Sequence, residues 1–170
     1  YGTPIKNVHH LRLGFYKGDI FTEDPTMDRD VQPILEYMEK IRPTVVTLAL
    51  DPEASGPDTH YKVMQAIAEA IRLYKERHPE APLRVWGYRN VWFKFQPTDV
   101  NIFVPVSLNS MAIMKETFKY CFQSQVDAPF PSFEFNGPFS GLAQAIQVQQ
   151  HQDMKRVMGR DFWYENTHPR

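Results

Sequence analysis

Val31, Ile34, Leu35, Met38 and Ile41 recur at the spacing of one helix face, so residues 28–41 are expected to form an amphipathic helix capped by Asp28 and stopped before Pro43. Thr44-Val45-Val46-Thr47-Leu48-Ala49-Leu50 follows at once. Such a short apolar run, rich in β-branched residues, reads as a buried strand. Asp51 to Asp58 holds two prolines, a glycine and three acids, which predicts a loop at the C-terminal end of that strand. Beyond it, Val63, Ile67, Ala70, Ile71 and Tyr74 share a second helix face running to about His78, with Asp58 or Thr59 as the cap.

The same patterns return along the rest of the chain. Val8 to Leu13, Arg84 to Tyr88 and Val100 to Pro105 are strand candidates, the first leading into Gly14-Phe15-Tyr16 and the last ended by its proline. Lys17 to Thr26 is a polar, acidic loop. Met111, Met114, Phe118, Cys121 and Phe122 form the stripe of a helix from Leu108 to Ser124. Leu142, Ile146, Met154 and Val157 form a weaker one from Leu142 to Met158, with Gly159 as its C-cap. Asp127 to Gly141, with three prolines, two glycines and four phenylalanines, predicts an ordered loop pressed onto the body. No internal repeat appears. Strands alternating with helices predict a single α/β domain over residues 1–170, with a mostly parallel sheet covered by helices on both faces.

Composition narrows the classes. With 42% hydrophobic, 14% aromatic and 23% charged residues, the chain is neither disordered nor a small disulfide scaffold. Nineteen Lys and Arg against twenty Asp and Glu give a formal charge of −1, so no excess positive field exists to hold nucleic acid or an anionic membrane. Cys121, the single cysteine, cannot close an intrachain disulfide and leaves no thiolate cluster for zinc or iron–sulfur chemistry, which suits a reducing, cytoplasmic compartment. No apolar run approaches the roughly 18 residues of a membrane span, and residues 1–15 lack the order of a signal peptide. The chain opens at Tyr1 without a methionine, so the expectation is a fragment, or the ordered part of something longer.

Ligands of parallel α/β sheets sit beyond the C-terminal strand ends, which directs attention to Asp51, Glu53, Asp58 and His60. A histidine in the first turn of a helix, behind an acidic loop, can offer its imidazole to a metal. The plainer alternative is a surface histidine, with carboxylates favoured near a helix N-terminus by the macrodipole. His9 and His10 are adjacent, so a regular strand would point them to opposite faces. Trp86, Tyr88, Arg89 and Trp92 could wall a sugar or phosphate; core aromatics beside a surface arginine is again the plainer alternative. Gly-rich phosphate loops and a Gly-x-Ser-x-Gly elbow are both absent, which removes nucleotide-binding and serine-hydrolase readings in their familiar forms. Cys121 falls on an apolar stripe and reads as packing.

Several segments together carry a family likeness: Val8 to Tyr16, Arg42-Pro43, Asp58-Thr59-His60 with Lys62-Val63, Val85 to Arg89, and Gln123-Ser124-Gln125. Their order and spacing over residues 8–125 resemble the PIG-L (LmbE-like) zinc-dependent N-deacetylases, in particular the PIG-L-type domain fused behind a glucosamine-6-phosphate deaminase-like domain. The resemblance implies a Rossmann-like fold, a zinc cofactor and amino-sugar substrates, and it makes the chain the C-terminal portion of a longer polypeptide. It makes His60 the later zinc ligand, while the His-Pro-Asp-Asp stretch that supplies the others in the family has no counterpart among the 170 residues. Pro57 and Phe122 stand where many members have histidines; with Pro57 unable to donate a proton, the acid role would pass to Asp58 or to a histidine from elsewhere. Arg12, Arg89 and Trp92 become candidates for gripping the sugar or its phosphate.

Two functions follow as expectations. One is a zinc-dependent amidohydrolase domain acting on N-acetylated amino sugars or their phosphates, seen as a fragment lacking its first strand and metal motif. In it, zinc would lower the pKa of a bound water and a carboxylate would take its proton. The other is a catalytically degenerate sugar-binding or structural domain on the same fold, with His60 a relic. Either way the expected partners are an amino sugar or sugar phosphate, with neither nucleic acid nor a membrane span. Further residues or a fused deaminase-like domain would complete the sheet, and a homo-oligomer is left open. A sheet lacking its first strand would expose an edge prone to aggregation.

Overall fold

The computed structural model describes residues 2–15, 22–89, 94–123, 126, 136–159 and 162. Two units separate along the chain, Pro4–Lys94 and Tyr1–Thr3 with Phe95–Arg170. Together their described residues form an α/β arrangement with four α-helices and one two-stranded parallel sheet.

In the first unit, α1 (Gln32–Ile41) leads through Arg42 and Pro43 into β1 (Val45–Ala49), α2 (Asp58–Arg77) crosses over, and β2 (Arg84–Tyr88) returns beside β1. Arg42 takes the left-handed conformation at φ 48° and donates its amide to the Met38 carbonyl at 2.8 Å, closing the helix as a C-terminal αL residue does. The strands run parallel from Val45 opposite Arg84 to Ala49 opposite Tyr88. One further bond at each end, Arg84 N–H to Thr44 O and Leu50 N–H to Tyr88 O, carries the pairing past the strands proper.

Burial follows the helix stripes. Leu35 and Ala70 are wholly buried where α1 meets α2, with Ile34, Met38, Ala66 and Tyr74 around them and Val46 of β1 packed against the cluster. Leu48 is buried too, so Val46 and Leu48 mark the inner face of the sheet. Thr47 lies opposite Trp86 and Ala49 opposite Tyr88 on the other face, where Trp86 and Tyr88 are exposed. The inner face is covered at Val46 and Leu48 of β1, while Val85 opposite Val46 stays about half exposed; the outer face, expected to carry helices too, is open at Trp86 and Tyr88.

Asp28 does not cap α1. A wide π-type turn, Met27–Val31, precedes the helix, and its buried Asp30 performs the anchoring instead. Asp30 accepts from the Phe15 amide at 3.1 Å, the Thr26 amide at 2.9 Å and Arg29 Nε at 3.0 Å. Burial pushes its carboxyl up, but the bonds from Arg29 and the two amides outweigh that and hold the pKa below its ordinary value.

In the second unit, α3 (Leu108–Cys121) is capped by Ser107, whose hydroxyl accepts from the Ser110 amide at 3.2 Å. α4 (Phe139–Met158) starts three residues before the expected Leu142, directly after Pro138, and ends at Gly159 with φ 79°. The pair is joined by Phe118 stacked on Phe139 at 5.6 Å and by Gln144 Nε2 donating to the Met111 carbonyl at 3.2 Å. Asp127 to Gly141, expected as a packed loop, lies largely outside the described residues.

Two expected strands are not formed. Ile5–Asn7 makes a 3-10 turn, Arg12 turns left-handed at φ 51°, and the exposed stretch between them lays His9 against Tyr37 at 4.9 Å instead of joining the sheet. Residues 100–105 are non-strand and Phe103 and Val104 are exposed. A strand needs a hydrogen-bonded neighbour, and among the described residues neither stretch has one. No helix there is long and apolar enough to cross a membrane.

Candidate strand-end anion site

Both strands end at the same edge, and their continuations meet there. Leu50 closes over Gly87: a Cβ added to Gly87 would lie 2.8–2.9 Å from the Leu50 Cδ2 and Cβ atoms, so glycine permits the approach. The next residue, Asp51, is buried and organises the loop. It accepts from the Ser55 amide at 3.0 Å, the Gly56 amide at 2.8 Å and the Ser55 hydroxyl. The Ser55 hydroxyl and Gly56 amide, against a smaller effect of burial, hold its carboxyl below the usual range. Ala54 completes the turn at φ 50°, a left-handed conformation uncommon for a residue with a Cβ.

Arg89, one residue past β2, enters this loop. Its guanidinium makes a two-pronged contact with Glu53, at 2.7 and 3.0 Å, and lies 3.7 Å from Asp51. The Arg89 side chain is 11% exposed and that of Glu53 53%. Their bond raises the pKa of Arg89 and lowers that of Glu53, so both are charged at neutral pH. The fork-to-carboxylate geometry is the one by which arginine also receives phosphate.

A second cluster sits at the start of α2. Pro57 occupies the cap position and no side chain caps the helix. Asp58 is engaged sideways: the Thr22 hydroxyl donates to it and Lys62 Nζ lies 3.0 Å away. Lys62, nearly buried, also donates to the Thr22 carbonyl at 2.9 Å and the Thr22 hydroxyl at 2.8 Å, with Asp24 at 3.5 Å. The Thr22 and Lys62 bonds hold the Asp58 carboxyl below its usual range. A general acid must hold its proton near the working pH, and this environment moves Asp58 the other way.

The expected site residues therefore divide. Arg89 joins Asp51 and Glu53 at the strand ends, Asp58 belongs to the Lys62 clasp, and His60 lies half-buried in the first turn of α2 with its amide bonded to the Pro57 carbonyl at 2.9 Å. Arg12 is exposed in the N-terminal segment, where no hydrogen bond or ion pair ties it to the strand-end cluster among the described residues. Trp92 lies outside the described residues. Thr22, Ser55 and Lys62 were missed as site-forming groups; only the Asp58–Lys62 spacing of four on a helix could have announced its pair.

No family model matches the chain, and no solved structure matches it significantly. Over 156 residues the chain is 26% identical to a glucosamine-6-phosphate deaminase-like protein of Bacteroides thetaiotaomicron. The match takes in 90% of this chain but 22% of the relative, so the chain spans less than a quarter of the length of the protein it resembles.

Proposed function

We propose that this domain binds a phosphorylated amino sugar at the C-terminal ends of β1 and β2, with Arg89 receiving the phosphate. The observation that carries the reading is Arg89 itself, a largely buried guanidinium held at the strand-end position where parallel sheets bind ligands. The name of the relative, a glucosamine-6-phosphate deaminase-like protein, supports an amino-sugar setting. So does the likeness of residues 8–125 to PIG-L-type domains fused to deaminase-like proteins, which also favours completion of the open sheet along Rossmann-like lines. Asp51 orients the loop and stands as the buried counter-charge beside the arginine.

The residues present do not fit a catalytic zinc. His60 stands at the position the family likeness assigns to a ligand, Asp58 is occupied by Thr22 and Lys62, and no three metal-ligating side chains converge among the described residues. A zinc-dependent deacetylase would need further ligands to join His60. Zinc content of the purified protein, with His60→Ala as control, tests that reading.

Calorimetric titration with glucosamine 6-phosphate, glucosamine and inorganic phosphate tests the binding function. The expected result is saturable binding of the two phosphate compounds, weakened about tenfold or more in Arg89→Ala through loss of a charge-assisted, two-pronged contact. Equal affinity in the variant, or no binding by the wild type, would overturn it.

A further inference from the structure

We infer that Glu53 is the resident occupant of the anion seat on Arg89, a displaceable carboxylate that an incoming phosphate must expel. The inference rests on the reading of Arg89 as the phosphate anchor and adds the residue that controls access to it.

The two carboxylates beside Arg89 are built differently. Asp51 is 3% exposed in its side chain, spends its oxygens on Ser55 and Gly56, and stands 3.7 Å from the guanidinium. It is a fixed counter-charge. Glu53 takes the two-pronged position at 2.7 and 3.0 Å while keeping 53% of its side chain in water. Releasing it therefore requires little rehydration, since half of it is already hydrated.

Backbone construction agrees with this division. The Asp51 bonds to Ser55 and Gly56 brace the loop on one side of Ala54, which donates its own amide to the Asp51 carbonyl at 3.1 Å. Those bonds do not involve the Glu53 side chain, so its departure leaves the loop closed. Asp51 also stays beside Arg89, so the guanidinium keeps a buried partner throughout the exchange.

Charge explains why exchange, not addition, is required. Asp51 and Glu53 place two negative charges against the single positive charge of Arg89. A phosphate approaching that arrangement meets a net negative field and finds both prongs of the fork taken. With Glu53 swung into solvent, a dianionic phosphate ester meets Arg89 across the same two donors. Glu53 so disfavours carboxylates, which bring no more charge than the group they replace, and favours phosphates.

The test is titration of the full 170-residue chain with inorganic phosphate, then glucosamine 6-phosphate, followed by calorimetry and the NMR signal of the Arg89 side chain. Glu53→Gln and Glu53→Asp are compared with wild type and Arg89→Ala, each after a melting curve. The expectation is that Glu53→Gln binds phosphate about tenfold tighter, as removal of a self-occupied state requires, that Glu53→Asp, which keeps the charge on a shorter arm, gains less, and that both gains vanish when combined with Arg89→Ala. If Glu53 variants bind no tighter while Arg89→Ala still weakens binding, the displaceable carboxylate is refuted and the anchor stands. If Arg89→Ala leaves phosphate binding unchanged, the anchor itself fails. Unfolding of both Glu53 variants would also refute the inference, because a displaceable carboxylate cannot be essential to the fold. A gain with sugar phosphate alone would mean that the hexosamine, not the free anion, does the expelling; a gain with both assigns it to the phosphate.

Discussion

The helix pair α1–α2 carries sharply segregated apolar stripes, the helix pair α3–α4 weaker ones, and the two reach different interiors. Between α1 and α2, Leu35 and Ala70 lose all contact with water. Along α3 no side chain is buried, along α4 only Ser140 is, and Leu108 remains 83% exposed. The difference is a third surface: α1 and α2 also close on β1 through Val46, with Leu13 and Leu83 around the margin. Two helices can cover only the strip along which they touch, and among the described residues the sheet belongs to the first unit. In the first unit a strong stripe and a sheet to close on act together; in the second the stripe is weaker.

Truncation should separate the two pairs most sharply. Leu35→Ala is expected to cost about 3–5 kcal/mol, as for a fully buried leucine whose cavity cannot collapse. Met114→Ala, on the half-buried stripe of α3, should cost under about 1 kcal/mol. Urea unfolding of both variants measures this, and equal losses would erase the contrast drawn between the helix pairs.

Next in size is Asp30→Ala, which strands the Phe15 and Thr26 amides and Arg29 Nε and should cost about 2–3 kcal/mol. The pH dependence has a defined sign. Because the folded pKa of Asp30 lies below its ordinary 3.8, its contribution is complete above 3.8 and disappears as pH falls through the lower, folded value. Melting curves of wild type from pH 5 downward should show an acid limb shared with Asp51, Glu53 and Asp58, and in Asp30→Ala that limb should be shallower. An unchanged limb would assign acid sensitivity elsewhere, and would weaken the view that the first unit owes its order to polar anchoring as well as to packing.

The smallest expected effect is also the most local. Gly87→Ala would press a methyl group against the Leu50 side chain at 2.8–2.9 Å, at about 1–2 kcal/mol. Because Leu50 precedes Asp51, phosphate affinity should drop alongside stability. A stability loss without a change in affinity would mean that the strand-end loop is insensitive to the packing beneath it.

Elements with strong local signals were legible to within a few residues. The apolar run 44–50 became Val45–Ala49, residues 84–88 formed β2 as expected, and α3 began at Leu108. Proline and glycine punctuation set those limits. The strands expected at 8–13 and 100–105 had the right residues but, among the described residues, no neighbour to pair with. Asp28 had the right position for a cap, but Asp30 holds the chain because its carboxylate faces Phe15, fifteen residues away. At the site, Arg89 and the acidic loop were both visible as candidates, whereas their pairing was not.

Periodicity and side-chain type, then, determined by themselves the four helices and the strands at 45–49 and 84–88 to within a few residues, since those preferences act locally. Tertiary structure alone decided the partners: Arg89 with Glu53 across 36 positions, and Lys62 with Thr22 across 40. A charge is selected by distance in space, and that distance exists only after α2 has crossed over and brought the ends of β1 and β2 to one edge.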